Sequence, residues 1–247
     1  MTPQPKISVA FADDKDSERK SILRSLNNLN NCCVLFSSTS GRDMIFKLQT
    51  LKKLPDIILM DMEMPCCDGL LATTICKRLF PQIKIVGLSS HCSFAVISEF
   101  ISEGGSAFFS KYLLDKESVC YRAYAEKDVF EKYLEKVVKC NDVFFDPLLQ
   151  FNSDKNYKTN PTFSIIKNRF PELKDHEIIY LQLNAAGFSK PEIKTLMCRE
   201  VATIKKYYEK LSKFFGAQTH SDLTSICLNY GIVKMVHLYE RFKLFEE

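Results

Sequence analysis

Short apolar runs alternate with amphipathic stretches along residues 1–146, the pattern of a parallel sheet interleaved with helices. Strands are predicted at Ile7–Ala12, Cys33–Ser38, Ile57–Met60, Ile85–Leu88 and Ala107–Phe109. Between them the periodicity predicts helices at Ser17–Leu26, Arg42–Leu51, Leu70–Phe80 and Phe94–Glu103, with a last one at Val129–Val138. The run Ile57-Ile58-Leu59-Met60 is apolar at every position, as a strand covered by helices on both faces must be. Five such strands describe an α/β fold, a flavodoxin-like doubly wound parallel sheet. Its sites lie at the carboxyl ends of the strands.

Near residue 146 the pattern changes. Phe151–Pro161 is rich in Asn, Asp, Lys and Thr and has no period, so it reads as loop. Beyond it only helical periods remain, at Lys174–Ala186, Pro191–Met197, Val201–Phe215 and Ser221–Tyr230. Gly187, Gly216 and Gly231 stand just past three of these segments, where a left-handed residue closes a helix. In the third, Val201, Ile204, Tyr208, Leu211 and Phe215 form one apolar stripe. The reading is therefore an α/β domain at 1–146, a linker at 147–168, and a small all-α domain at 169–247. Its tail, 232–247, is apolar and aromatic and is expected to pack as a further helix.

Composition narrows the class. Hydrophobic residues at 46% and charged residues at 26% fit a folded chain, and 247 residues favour two domains. The longest clean apolar run is strand-sized, and Met1–Lys6 lacks the apolar core of a signal peptide. The expectation is a cytoplasmic protein with no membrane partner. Ten cysteines include the pairs Cys32-Cys33 and Cys66-Cys67 but no Cys-x-x-Cys. They suggest neither a zinc site nor a disulfide framework, and most are expected to be small buried apolar residues. The net charge of +4 matters less than where the charges sit.

Asp13 and Asp14 follow the first predicted strand, Asp61 the third, Ser89 the fourth and Lys111 the fifth. In a doubly wound sheet these ends are neighbours. Carboxylates 4 Å apart repel by about 4 kcal/mol at an effective dielectric near 20, so such a cluster holds a cation or raises a pKa. Hard oxygen ligands suit Mg²⁺. A carboxylate beside Mg²⁺ can attack a phosphoryl group in line and form an acyl phosphate. Lys111 is then available to pair with the phosphoryl group and Ser89 to hydrogen-bond to it.

Asp13-Asp14, the run Pro55–Pro65 centred on Asp61, Asp68-Gly69, Leu88-Ser89-Ser90-His91 and Phe108-Phe109-Ser110-Lys111 together resemble the receiver domain of two-component response regulators. The resemblance implies that Asp61 is the phosphoacceptor and a sensor histidine kinase the phosphodonor. It implies Mg²⁺ held by Asp14, Asp61 and the backbone carbonyl of Glu63, with Asp13 acting through water. Ser89 and Phe108 would be the switch pair, and Lys111 would contact the phosphoryl group. Two features depart from the family: Ser89 stands where Thr is commoner, and Tyr112–Lys127 separates Lys111 from the last helix by an unusually long stretch.

The helical region is similar to LuxR/NarL-type helix-turn-helix domains. Leu173-Lys174-Asp175-His176-Glu177, Gly187-Phe188-Ser189-Lys190-Pro191-Glu192-Ile193 and Thr203-Ile204-Lys205 carry that likeness. It implies double-stranded DNA as partner and a homodimer at least when phosphorylated. Lys205, Lys206 and Glu209 would approach base edges, with Thr203 and Lys213 nearer phosphates. Glu209 is the discordant member, because a carboxylate near phosphates is repelled. A second reading keeps the receiver and gives the helical domain a protein partner instead of DNA. A phosphohydrolase is disfavoured, since Glu63 stands where haloacid-dehalogenase-like enzymes need a second Asp.

Overall fold

A computed structural model describes residues 6–90, 94–114, 129–145, 166 and 169–235. The sheet has strands β1 (Ile7–Ala12), β2 (Cys32–Ser38), β3 (Ile57–Asp61), β4 (Lys84–Ser89), β5 (Ala107–Ser110) and β6 (Phe144–Phe145). Their order is β2-β1-β3-β4-β5-β6, every pair parallel. The helices around it are α1 (Asp16–Asn27), α2 (Gly41–Thr50), α3 (Gly69–Leu79), α4 (Phe94–Ser102) and α5 (Val129–Lys139). The five predicted strands and five helices are present, with ends displaced by a residue or so. β6 is an addition: two residues pair with the first two of β5, too short a segment for alternation to register in the sequence.

Alternation along the strands divides the core. Val9, Phe11, Ile57, Leu59, Val86, Leu88 and Phe109 pack with α1 and α5 on one face. Ala10, Ala12, Ile58, Met60, Ile85 and Phe108 face α2, α3 and α4 on the other. The order reverses between β1 and β3, and the crevice at that switch point opens at their carboxyl ends.

After β6 the described residues contain helices only: α6 (Asp175–Ala185), α7 (Lys190–Met197), α8 (Val201–Phe215) and α9 (His220–Asn229). Gly187, Gly216 and Gly231 adopt φ of 78°, 70° and 68°, the left-handed closures expected of them. In α8 the predicted stripe holds at Ile204 and Leu211, which are buried, and in part at Tyr208 and Phe215. Val201 departs from it. At the first position of the helix it lies beyond the packed surface and is 47% exposed. Residues 232–235 are not helical, though Ile232, Val233 and Met235 are buried. The rest of the tail, the linker apart from residue 166, and most of the 112–127 stretch lie outside the described residues. Of the eight cysteines in the described residues, Cys32, Cys67, Cys76 and Cys227 are buried and Cys66 and Cys198 exposed.

The two regions share a continuous apolar cluster, rimmed by polar contacts. Arg42 on α2 donates to both carboxylate oxygens of Glu192 on α7 at 2.6 Å, with its guanidinium 5.1 Å from the Phe188 ring centroid. Arg78 meets Gln182, and Lys234 meets Glu99 and, at 3.6 Å, Glu103. This contact uses α6, α7 and the chain after α9, while Lys205, Lys206 and Lys213 on α8 stay exposed.

Candidate functional site

Three strand ends supply the acidic pocket. β1 ends at Ala12, which pairs with Met60 of β3, so Asp13 and Asp14 leave one strand beside Asp61 at the end of its neighbour. Carboxylate oxygens of all three lie within 4.8 Å of one another. Asp13 and Asp61 are buried and Asp14 half-buried. Asp13 is fixed from behind: its backbone N–H donates to Ser38 at 3.1 Å, and its Oδ1 accepts from the Lys15 N–H at 2.9 Å.

The loop after Asp61 is shaped by Asp68 and Gly69. Asp68 caps α3, its Oδ1 accepting from the Leu71 N–H at 3.0 Å. A Cβ on Gly69 would stand 2.2 Å from the Asp61 carbonyl oxygen, so only glycine lets α3 begin against the end of β3. Earlier in the loop Cys66 takes φ 66°, a left-handed conformation strained for a residue with a side chain.

Lys111 opens a short 3₁₀ turn after β5 and enters the pocket from the far side. Its Nζ lies 2.9 Å from Asp13 Oδ2, 3.0 Å from Asp61 Oδ1 and 2.8 Å from Glu18 Oε2. Burial pushes the Asp61 carboxyl up to about 6, against the opposing pull of Lys111, while Asp13 adds to the rise. Burial works to lower the Lys111 ammonium, and the charge of Asp61 together with hydrogen bonds to Glu18, Asp13 and Asp61 overcomes it. Both charges therefore persist at neutral pH.

The oxygens that Lys111 does not reach are informative. Asp14 Oδ1 and Asp61 Oδ2 are buried with no hydrogen-bond partner, a costly state for carboxylate oxygens. Two such oxygens on clustered carboxylates fit a hard divalent cation such as Mg²⁺. Glu63 is exposed, with its N–H 3.5 Å from Asp61 Oδ1. Ser89 is buried at the end of β4. Phe108 is fully buried, its ring edge-on to Phe100 of α4 with centroids 5.5 Å apart. Gly87 makes room for it, since a Cβ there would lie 2.5 Å from the Phe108 ring.

Asp13, Asp14, Asp61 and Lys111 are thus brought together, and Glu18 is a member that sequence reasoning missed. Its only signal is the placement of a carboxylate in the first turn of α1, a common helix-dipole pattern. On α8, Lys205, Lys206, Glu209 and Lys213 are exposed and Thr203 half-buried. Glu209 lies 3.6 Å from Lys205 one turn away. Lys210 turns back to Glu177 of α6 at 2.6 Å.

Residues 9–121 match the response regulator receiver domain family. The chain is 25% identical to the response regulator protein VraR of Staphylococcus epidermidis over 228 residues, 92% of this chain and 99% of the relative. VraR of Staphylococcus aureus matches with the same identity and coverage. The non-phosphorylated receiver domain of the stress response regulator RcsB from Escherichia coli aligns over 57% of this chain and 98% of its own, with 21% identity and a TM-score of 0.47. Residues 9–121 are thus a receiver domain of the response-regulator family, and the chain is similar to response regulators along nearly its whole length.

Proposed function

We propose that Asp61 accepts a phosphoryl group from a sensor histidine kinase and thereby switches a DNA-binding output. The observation that carries this reading is the division of labour around Asp61: one oxygen is held by Lys111, while the other is buried, unpartnered and beside the unpartnered oxygen of Asp14. Asp14 and Asp61 would hold Mg²⁺ directly, with the Glu63 backbone carbonyl, and Asp13 through water. Bound there, the ion offsets charge on the incoming phosphoryl oxygens. Lys111 orients the phosphoryl group, and Ser89 and Phe108 carry the change through Phe100 to α4. The protein turns over no separate substrate; its chemistry is confined to gain and loss of the phosphoryl group at Asp61.

The output is residues 169–247, reached through a linker at 147–168. It would bind double-stranded DNA through Thr203, Lys205, Lys206, Glu209 and Lys213, as a homodimer when phosphorylated, in the cytoplasm. The exposure of Lys205, Lys206, Glu209 and Lys213 away from the contact with the α/β region supports that assignment. The Lys205–Glu209 and Lys210–Glu177 pairs favour the other reading, a protein-binding output, because each sets a carboxylate against a lysine of α8. Salt dependence separates the two. DNA binding predicts a loss of about 0.9 log units in affinity per neutralised phosphate for each tenfold rise in salt, whereas a salt-independent affinity for duplex favours a protein partner.

Incubation with acetyl phosphate and Mg²⁺ followed by intact-protein mass spectrometry tests the phosphoacceptor. The wild type gains one phosphoryl mass and Asp61→Asn gains none. Equal labelling of the two removes Asp61 from the mechanism.

A further inference from the structure

A lysine ammonium has three N–H donors, and in this structure all three of those on Lys111 face carboxylates. Asp13 Oδ2 lies at 2.9 Å, Asp61 Oδ1 at 3.0 Å and Glu18 Oε2 at 2.8 Å. Asp13 and Asp61 belong to the acidic trio, but Glu18 reaches in from the first turn of α1. The three partners differ in how readily they release the lysine. Asp13 and Asp61 are almost fully buried, so a lost bond leaves a stranded charge. Glu18 has a side chain 35% exposed, and its second oxygen already meets Lys15 Nζ at 3.2 Å. Water and Lys15 can take over when Lys111 leaves it.

We propose that Glu18 is a positioning residue that competes with a phosphoryl group on Asp61 for Lys111, and is the partner Lys111 gives up on phosphorylation. The proposal rests on the reading of Asp61 as phosphoacceptor. In that step an Asp61 oxygen bonds to phosphorus as the donor's bond to phosphorus breaks, and the bonding pair leaves with the donor. Lys111 remains an ammonium throughout. The new group brings roughly −1.5 to −2 charges and three acceptor oxygens to a lysine with no donor to spare. One N–H moves from Glu18 to the phosphoryl group. Glu18 thus weakens the phosphorylated form relative to a pocket without it, and ties the state of Asp61 to the first turn of α1.

Beryllofluoride in Mg²⁺ buffer supplies a non-covalent test, because its fluorines accept where phosphoryl oxygens would. Glu18→Gln keeps the size and removes the charge. It should bind beryllofluoride roughly two- to fivefold more tightly than the wild type, the range for a partly exposed ion pair. Glu18→Asp keeps the charge but is one methylene short of Lys111, and it should tighten binding in the same direction. Unchanged or weaker binding by Glu18→Gln overturns the proposal. So does tightening by Glu18→Gln alone, which would assign the effect to net charge and not to the contact. A wild type that binds no beryllofluoride would instead sink the phosphoacceptor reading on which the proposal rests.

Discussion

In the α/β region, Asp13 and Asp61 are buried and each pairs with the buried Lys111, whereas in the helical region Lys205, Lys206 and Lys213 stand in solvent. The same residue types live under different constraints. A buried charge is held in place by its neighbours, and each change is felt through desolvation and lost partners. An exposed lysine is free to meet a phosphate but contributes little to the fold. The receiver therefore couples chemistry to stability at nearly every position of its site, and the output separates them. Each of the following substitutions tests that contrast.

The largest effect is expected at Gly69. A Cβ there meets the Asp61 carbonyl oxygen at 2.2 Å, the Met62 Cα at 2.7 Å and the Asp61 carbonyl carbon at 2.9 Å. All three are backbone atoms that cannot rotate away. Gly69→Ala should cost about 3 kcal/mol, at the upper end for overpacking. It should also lower acetyl phosphate labelling in the fraction that remains folded, because the displaced backbone is that of Asp61. Calorimetry with a labelling assay checks both. A folded, fully labelled Gly69→Ala protein would show that the pocket tolerates movement and that the contrast is overstated.

Asp61 comes next, and its effect has an unusual sign. Burial holds its carboxyl at about 6, against an unfolded value near 4. Above pH 6 the folded protein carries the full penalty of the buried carboxylate. As pH falls from 6 towards 4 the folded state takes up a proton before the unfolded state does, and the penalty disappears. Asp61→Asn should therefore stabilise the metal-free protein by about 2–3 kcal/mol at pH 7.5, with the gain shrinking towards pH 4. Mg²⁺ should stabilise the wild type and leave Asp61→Asn nearly unmoved. Denaturant unfolding across pH, with and without Mg²⁺, reads both. A variant less stable than the wild type at pH 7.5 would mean that the Lys111 contact outweighs burial at this site.

The difference between the regions also explains what the sequence made legible. Strand alternation located Asp13, Asp14, Asp61, Ser89 and Lys111 at strand ends, because a doubly wound sheet leaves polar side chains few other places. Glu18 escaped notice because an acidic residue in a first helical turn is ordinary, and only the fold brings it to Lys111. β6 escaped because two residues carry no period. In the helical region the glycine stops were readable, since their left-handed backbone is a local property. The partners of the lysines were not: one apolar stripe places Lys206 and Lys210 alike on the polar side of α8, and nothing in the spacing turns Lys210 towards Glu177.

That pair offers the finest test. Lys210 donates to Glu177 Oε1 at 2.6 Å, and the Glu177 side chain is only 4% exposed, its other oxygen accepting from the Lys174 N–H at 2.9 Å. Lys210→Ala leaves that buried carboxylate short of a partner and should cost about 1 kcal/mol of stability. Because its charge is already committed, the salt slope of duplex binding should scarcely change. Lys206 is exposed, so Lys206→Ala should alter stability by no more than about 0.5 kcal/mol and lower the slope by about 0.9 if it meets a phosphate. Thermal unfolding and duplex titrations at several salt concentrations measure the two columns of this comparison independently. If Lys210→Ala flattens the slope and leaves the melting temperature alone, the output region holds its lysines as loosely at 210 as at 206. The separation of structural from binding charge on α8 then fails.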